Sequence, residues 1–161
     1  MRKTIAVVAG ALFLLALNWV IYGRERQLAE GRMVLLKLAP IDPRSLMQGD
    51  YMALRFSTAD SVSREKDPTD GRIIVRLDEK GVGRFVRRDK GEPLAEREVA
   101  LRYRVRDGRV KFATNAFFFQ EGRAGDYQGA RFGEFRVAPS GDLLLTGLRG
   151  AKLEPLGMQK R

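Results

Sequence analysis

An unbroken apolar run from Ile5 to Tyr22 (IAVVAGALFLLALNWVIY) constrains this chain more than any other feature. As a helix rising about 1.5 Å per residue it is roughly 27 Å long, close to the ~30 Å hydrocarbon core of a bilayer. Charges bracket it, with Arg2 and Lys3 before it and Arg24, Glu25 and Arg26 after it. Trp19 and Tyr22 stand near its C-terminal end, where amphipathic rings favour the headgroup layer. A cleaved signal peptide would combine the basic start with a shorter apolar stretch and a small-residue cleavage site. Here the run ends in the bulky Asn18-Trp19-Val20-Ile21-Tyr22, with nothing like Ala-x-Ala. The reading is a retained single-pass anchor. Residues 1–22 are the transmembrane segment, 23–32 a short helical linker, and 33–161 a β-rich domain. Gly31 is read as the helix stop, because glycine accepts the left-handed conformation at a helix end.

Charge does not orient this anchor. The amino terminus, Arg2 and Lys3 stand on one side, and Arg24, Arg26, Arg32 and Lys37 on the other. Whole domains also translocate largely regardless of charge. The chain carries 30 basic and 20 acidic residues, a net charge of +10. Setting aside Arg2 and Lys3 leaves 28 against 20 beyond position 22, so the domain itself carries +8. A basic domain tethered to a membrane most simply faces anionic headgroups. Nucleic acid is not the expected partner, since the basic residues are spread over many strands and no recognition helix is visible. The chain has no histidine, which removes Ser-His-Asp triads, Cys-His dyads and His-ligated metal sites. It has no cysteine either, which suits either side of a membrane. No catalytic residue, metal or cofactor is assigned.

From Met33 onward the hydrophobic period changes to two. Val34, Leu36 and Leu38 alternate around Lys37, Met52, Leu54 and Phe56 alternate with Tyr51, Ala53 and Arg55, and Ile73, Val75 and Leu77 form one face. Over 98–106, Val99, Leu101, Tyr103 and Val105 face one way, and Glu98, Arg102, Arg104 and Arg106 the other, as in an antiparallel sheet with one wet side. Asp107-Gly108 then predicts a hairpin to Arg109–Ala113, because a type I′ turn needs positive φ at both central positions. Further hairpins are predicted between 73–77 and 84–88, and between 131–137 and 143–148. Residues 57–71 show no strand pattern and read as an exposed loop. The fold expected is mostly β: one N-terminal transmembrane helix followed by an antiparallel β-sandwich or open barrel.

Two stretches depart from simple strand grammar. Leu38–Tyr51 places Pro40, Pro43 and Gly49 between two strands, either as a stiff connection or as a rigid loop that presents Arg44, Asp50 and Tyr51 to a ligand. Further on, Phe117, Phe118 and Phe119 are followed by Gln120, Glu121, Tyr127 and Arg131. Three consecutive phenylalanines cannot share one face of a strand. Either both faces are buried, or one ring is offered to a protein, a bilayer surface or an apolar ligand.

The stretch LAPIDPRSLMQGDYMALRF resembles the signature of the GDYXXLXY family. Gly49, Asp50, Tyr51 and Leu54 match the motif, and Phe56 stands where it has its last tyrosine. The segment TNAFFFQEG, with Tyr127 and ARFGEFRV after it, is similar to the family's second conserved block. The resemblance implies a bacterial inner-membrane protein, single-pass, with its domain in the periplasm and a multi-span membrane protein as partner. It implies no activity, and no role for the motif positions. Pro43, Leu46, Gly49 and Asp50 also resemble a Pro-Thr-Leu-x-x-Gly-Asp stretch of signal-peptidase-like serine proteases. There the nucleophilic serine lies three residues before the proline. Here that position is Pro40, which has no hydroxyl, and Ser45 lies beyond Pro43. The function expected is a non-enzymatic accessory or scaffolding subunit for an integral membrane protein. The alternatives are a binder of an anionic lipid or glycan, through the aromatic block with Arg44 or Arg131, and a hydrolase of the signal-peptidase type.

Overall fold

The computed structural model describes residues 2–39, 47–48, 51–63, 69–114 and 116–157. Helix α1 (Arg2–Glu30) is continuous through the apolar run and most of the linker, whose last residue, Arg32, already opens the first strand. Its apolar side chains are exposed, Trp19 and Phe13 among them, and none of its spanning window is buried against the rest of the protein. By length and composition it is able to cross a bilayer.

The helix does not end freely. The Gln27 side chain is buried, and its amide donates to the Arg136 carbonyl at 3.1 Å and the Asp142 carbonyl at 2.9 Å. The Arg136 guanidinium donates to the Gly31 carbonyl at 3.2 Å. Gly31 does stop the helix, but not through positive φ. A Cβ there would collide with the Gln27 carbonyl and come within 3.1 Å of Arg136 Cβ, so close approach is what selects glycine.

Strand β1 (Arg32–Lys37) leaves the helix directly and pairs antiparallel with β9 (Phe132–Val137), which pairs with β10 (Leu143–Arg149). A second antiparallel sheet has the order β5-β4-β6-β7, built from β4 (Gly71–Leu77), β5 (Gly83–Arg88), β6 (Glu98–Arg106) and β7 (Arg109–Lys111). The β6–β7 turn has φ of 54° at Asp107 and 68° at Gly108, the two positive values that the Asp-Gly pair predicts. The β4–β5 and β9–β10 hairpins also form where the periodicity places them. Two backbone bonds tie the sheets together: Leu35 N–H donates to the Gly81 carbonyl at 2.9 Å, and Arg102 N–H to the Gly141 carbonyl at 2.8 Å. These antiparallel sheets include a half-barrel, in keeping with the mostly β fold expected.

A third, small sheet of order β2-β3-β8 joins β2 (Met47–Gln48), β3 (Tyr51–Ala53) and β8 (Ala116–Phe118). Behind it, a chain of edge-to-face rings crosses the interior. Phe56 meets Phe135 at 5.3 Å and Phe112 at 6.3 Å, and Phe112 meets Tyr103 at 6.5 Å. Such pairs contribute about 0.5–1.5 kcal/mol each beyond area burial. All four residues are buried, as are Leu54 and Met52 beside them.

Two expectations are corrected here. Residues 57–71 are not a plain exposed loop, because Ser57–Ser63 form helix α2, with Thr58, Ala59 and Val62 buried. It packs on β7, β1 and β5, and the Ser57 hydroxyl donates to the Leu38 carbonyl at 3.3 Å. A two-turn helix is unstable alone, so packing rather than local propensity forms it. Glu98, expected on the wet face of β6, is 3% exposed. Its carboxylate accepts from Arg87 at 2.9 Å, Arg76 at 3.1 Å and the Ala95 N–H at 3.2 Å.

Candidate functional site

The aromatic block folds into a corner with one ring turned outward. Strand alternation sends Phe117 and Phe119 inward and Phe118 outward. Both inward rings pack on Tyr127, which lies on a short 3-10 turn, Ala124–Tyr127: Phe117 edge-on at 5.1 Å and Phe119 stacked at 5.4 Å. An Arg123–Asp126 ion pair of 2.6 Å holds that turn. Phe118 is 74% exposed, the most exposed ring outside α1. Its companion is Tyr51, its register partner on β3, with centroids 5.8 Å apart. Among the described residues β8 is an end strand, so the alternative of a central strand buried on both faces is overturned.

The remaining candidates distribute unevenly. Tyr51, read in the sequence with Arg44 and Asp50 as part of a loop, lies on β3 in this corner, half-buried. Gln120 and Glu121 are exposed in the turn beyond β8, where Arg123 N–H donates to the Gln120 carbonyl at 3.1 Å. Arg131 is exposed, and its backbone bridges β10 and the end of β1: its N–H donates to the Arg149 carbonyl, and its carbonyl accepts from Leu38 N–H. Its guanidinium donates to the Ala130 carbonyl at 3.2 Å. Nothing in that bonding turns Arg131 toward the rings. Arg44, Gly49 and Asp50 lie outside the described residues, as do Pro40, Pro43 and Ser45, which carry the likeness to the peptidases.

The motif's described part divides cleanly. Leu54 and Phe56 are 4% and 2% exposed and serve the core, whereas Tyr51 faces outward beside Phe118. Phe56 is the ring that joins β9 to the second sheet, and a buried phenylalanine there leaves no hydroxyl to satisfy. Among the described residues, no group of three or more acidic side chains converges in a way that fits a metal ion.

Sequence reasoning missed one constellation. Arg102, Arg104 and Arg106 share the outer face of β6, Lys111 of β7 stands opposite Arg104, and they meet Arg24 and Leu28 of α1 across a groove of about 980 Å³. The alternating arginines were visible in the sequence, but their proximity to the helix was not.

No curated protein and no solved structure matches this chain. A family model described as GDYXXLXY protein matches residues 13–148, from inside α1 to the last buried residue of β10, and the chain therefore belongs to the GDYXXLXY family.

Proposed function

We propose that the chain is a single-pass bacterial inner-membrane protein whose β body stands in the periplasm and serves as an accessory subunit, without catalytic activity, for a multi-span membrane protein. The observation that carries this reading is Phe118, an exposed aromatic ring on an end strand beside Tyr51. Aromatic anchors of this kind dominate binding energy at protein interfaces. An end strand also offers unpaired backbone groups to a partner strand. The exposed α1 supports placement in lipid, since a wholly apolar helix surface finds no other solvent. The lack of histidine and cysteine supports a binding rather than a catalytic role.

The test is a photo-crosslinking residue at position 118 of the full chain, in native membranes, with position 79 in the exposed β4–β5 turn as the control. The expected product at 118 is an adduct with one integral membrane protein of several spans, missing at 79. Adducts with lipid alone, or the same adducts from both positions, would remove the partner reading. Topology is checked separately. The chain has no native thiol, so a single Glu79→Cys is the one reactive site. Labelling by an impermeant maleimide in intact spheroplasts is expected. Labelling only after lysis would place the body in the cytoplasm.

A further inference from the structure

The groove between α1 and β6 holds five cationic side chains and a single lining carboxylate, Asp142. Its charge is poorly neutralised from within. Arg102 reaches Asp142 at 3.4 Å, Arg106 reaches Asp70 at 3.5 Å and Lys111 reaches Asp107 at 3.8 Å, all with exposed partners, and such pairs are weak in water. Arg24 and Arg104 have no carboxylate within ion-pairing distance among the described residues, Arg104 acting on Asp70 only from farther off. Arg24 donates instead to the Gln27 side-chain carbonyl at 3.3 Å. The opposite wall is apolar: Leu28, 45% exposed, with Leu144 and Leu145 half-buried beside it.

Position along the helix sets the depth. Arg24 comes two residues after Tyr22, about 3 Å further along the axis, and Leu28 about 9 Å. A headgroup layer is roughly 5–7 Å thick on each side of the hydrocarbon. A helix that spans with Ile5–Tyr22 therefore sets the groove at the phosphate level of the same leaflet. Guanidinium groups bind phosphate in a bidentate, charge-assisted geometry, and the leucine wall suits a glycerol backbone and the first methylenes of an acyl chain.

We propose that this groove binds the headgroup of an anionic glycerophospholipid from the bilayer that holds α1, with Arg24 and Arg104 on the phosphate and the leucines against the glycerol. The proposal rests on the reading of α1 as a membrane span. It moves lipid recognition away from Arg44 and Arg131, onto residues that sequence spacing had left on an outer strand face. A second cavity, of about 570 Å³ at the far end of β1, also carries lysines, Lys80 and Lys152 among them, and provides the control.

The test uses the full chain in detergent, titrated with dioctanoyl phosphatidylglycerol, dioctanoyl phosphatidylcholine and glycerol 3-phosphate, with bound ligand counted by native mass spectrometry. Phosphatidylglycerol is expected to bind about tenfold more tightly than either alternative. Arg24→Gln with Arg104→Gln is expected to remove that preference, about a tenfold loss, while Lys80→Gln with Lys152→Gln keeps it within about twofold. Thermal melts matching the wild type exclude misfolding in either double variant. Equal binding of the two lipids, or equal losses in the two double variants, would overturn the groove. Glycerol 3-phosphate binding as tightly as the lipid would make it a site for soluble anions instead. Cell fractionation separates the two layers of the argument. A membrane-bound chain without lipid preference sinks the groove alone, whereas a clipped chain in the soluble fraction sinks the span and the groove together.

Discussion

Glu98 and Phe118 both break the rule that strands bury apolar residues and expose charged ones, in opposite ways. Glu98 is a carboxylate 3% exposed, and Phe118 a ring 74% exposed. The difference lies in their partners. Glu98 receives hydrogen bonds from two guanidinium groups and a backbone N–H, so its burial is satisfied. Phe118 has Tyr51 at its side and an open face. A buried charge with its acceptor sites filled belongs to the fold, whereas an exposed ring on an end strand points to something beyond the chain.

The largest effect that sharpens this contrast comes from two phenylalanines. Phe135 is fully buried and meets Phe56 edge-on at 5.3 Å. Phe135→Ala is expected to cost about 3–5 kcal/mol in urea unfolding, through lost burial and the cavity left behind. It should also disturb the packing between the first two sheets, because the ring chain from Phe135 through Phe56 and Phe112 to Tyr103 runs from β9 to β6. A cost near zero would mean that the interior is loosely packed and that burial does not separate core from corner.

Acid titration gives the next effect. Glu98 is held below the usual carboxylate range, first by the Arg87 hydrogen bond and then by the Ala95 N–H. Asp70 is lowered as well, chiefly by the Val105 N–H, which donates to it at 2.6 Å. A carboxylate with a depressed folded pKa contributes stability that is present above its unfolded value, about 4.3 for glutamate. That contribution is lost as pH falls through the folded value. Glu98→Gln should therefore lower stability at neutral pH and flatten the decline below about pH 4.5. Parallel acid limbs in variant and wild type would show that the arginine cluster does not hold the charge.

How much of this was legible in the sequence depends on the range of the interaction. The period-two runs placed Val99, Leu101 and Tyr103 inside, and Asp107-Gly108 announced its hairpin. Leu54 and Phe56 fell on one face with Met52, and all three are buried. Helix α2 was not legible, since two turns with Ala59 and Val62 inward give too short a period to stand out. Nor was the burial of Glu98, which needs Arg76 from β4 and Arg87 from β5 to arrive over β6. The three phenylalanines announced that they must divide between two faces, but which face was open depends on β8 lying at the end of its sheet. The groove joins α1 to β6, so no local pattern could reveal it.

The smallest expected change in stability is at Phe118, and its smallness is the point. Its ring contact with Tyr51 is exposed, so Phe118→Ser is expected to shift the unfolding free energy by less than about 1 kcal/mol. The same variant is expected to lose any membrane-protein partner that co-purifies with the wild type. A structural ring and a recognition ring thus give opposite pairs of outcomes. Phe135→Ala should change stability by several-fold more, whereas Phe118→Ser should change association alone. If Phe118→Ser unfolds the body as readily as Phe135→Ala, the outward ring is part of the scaffold, and the contrast between satisfied burial and offered surface no longer holds at this corner.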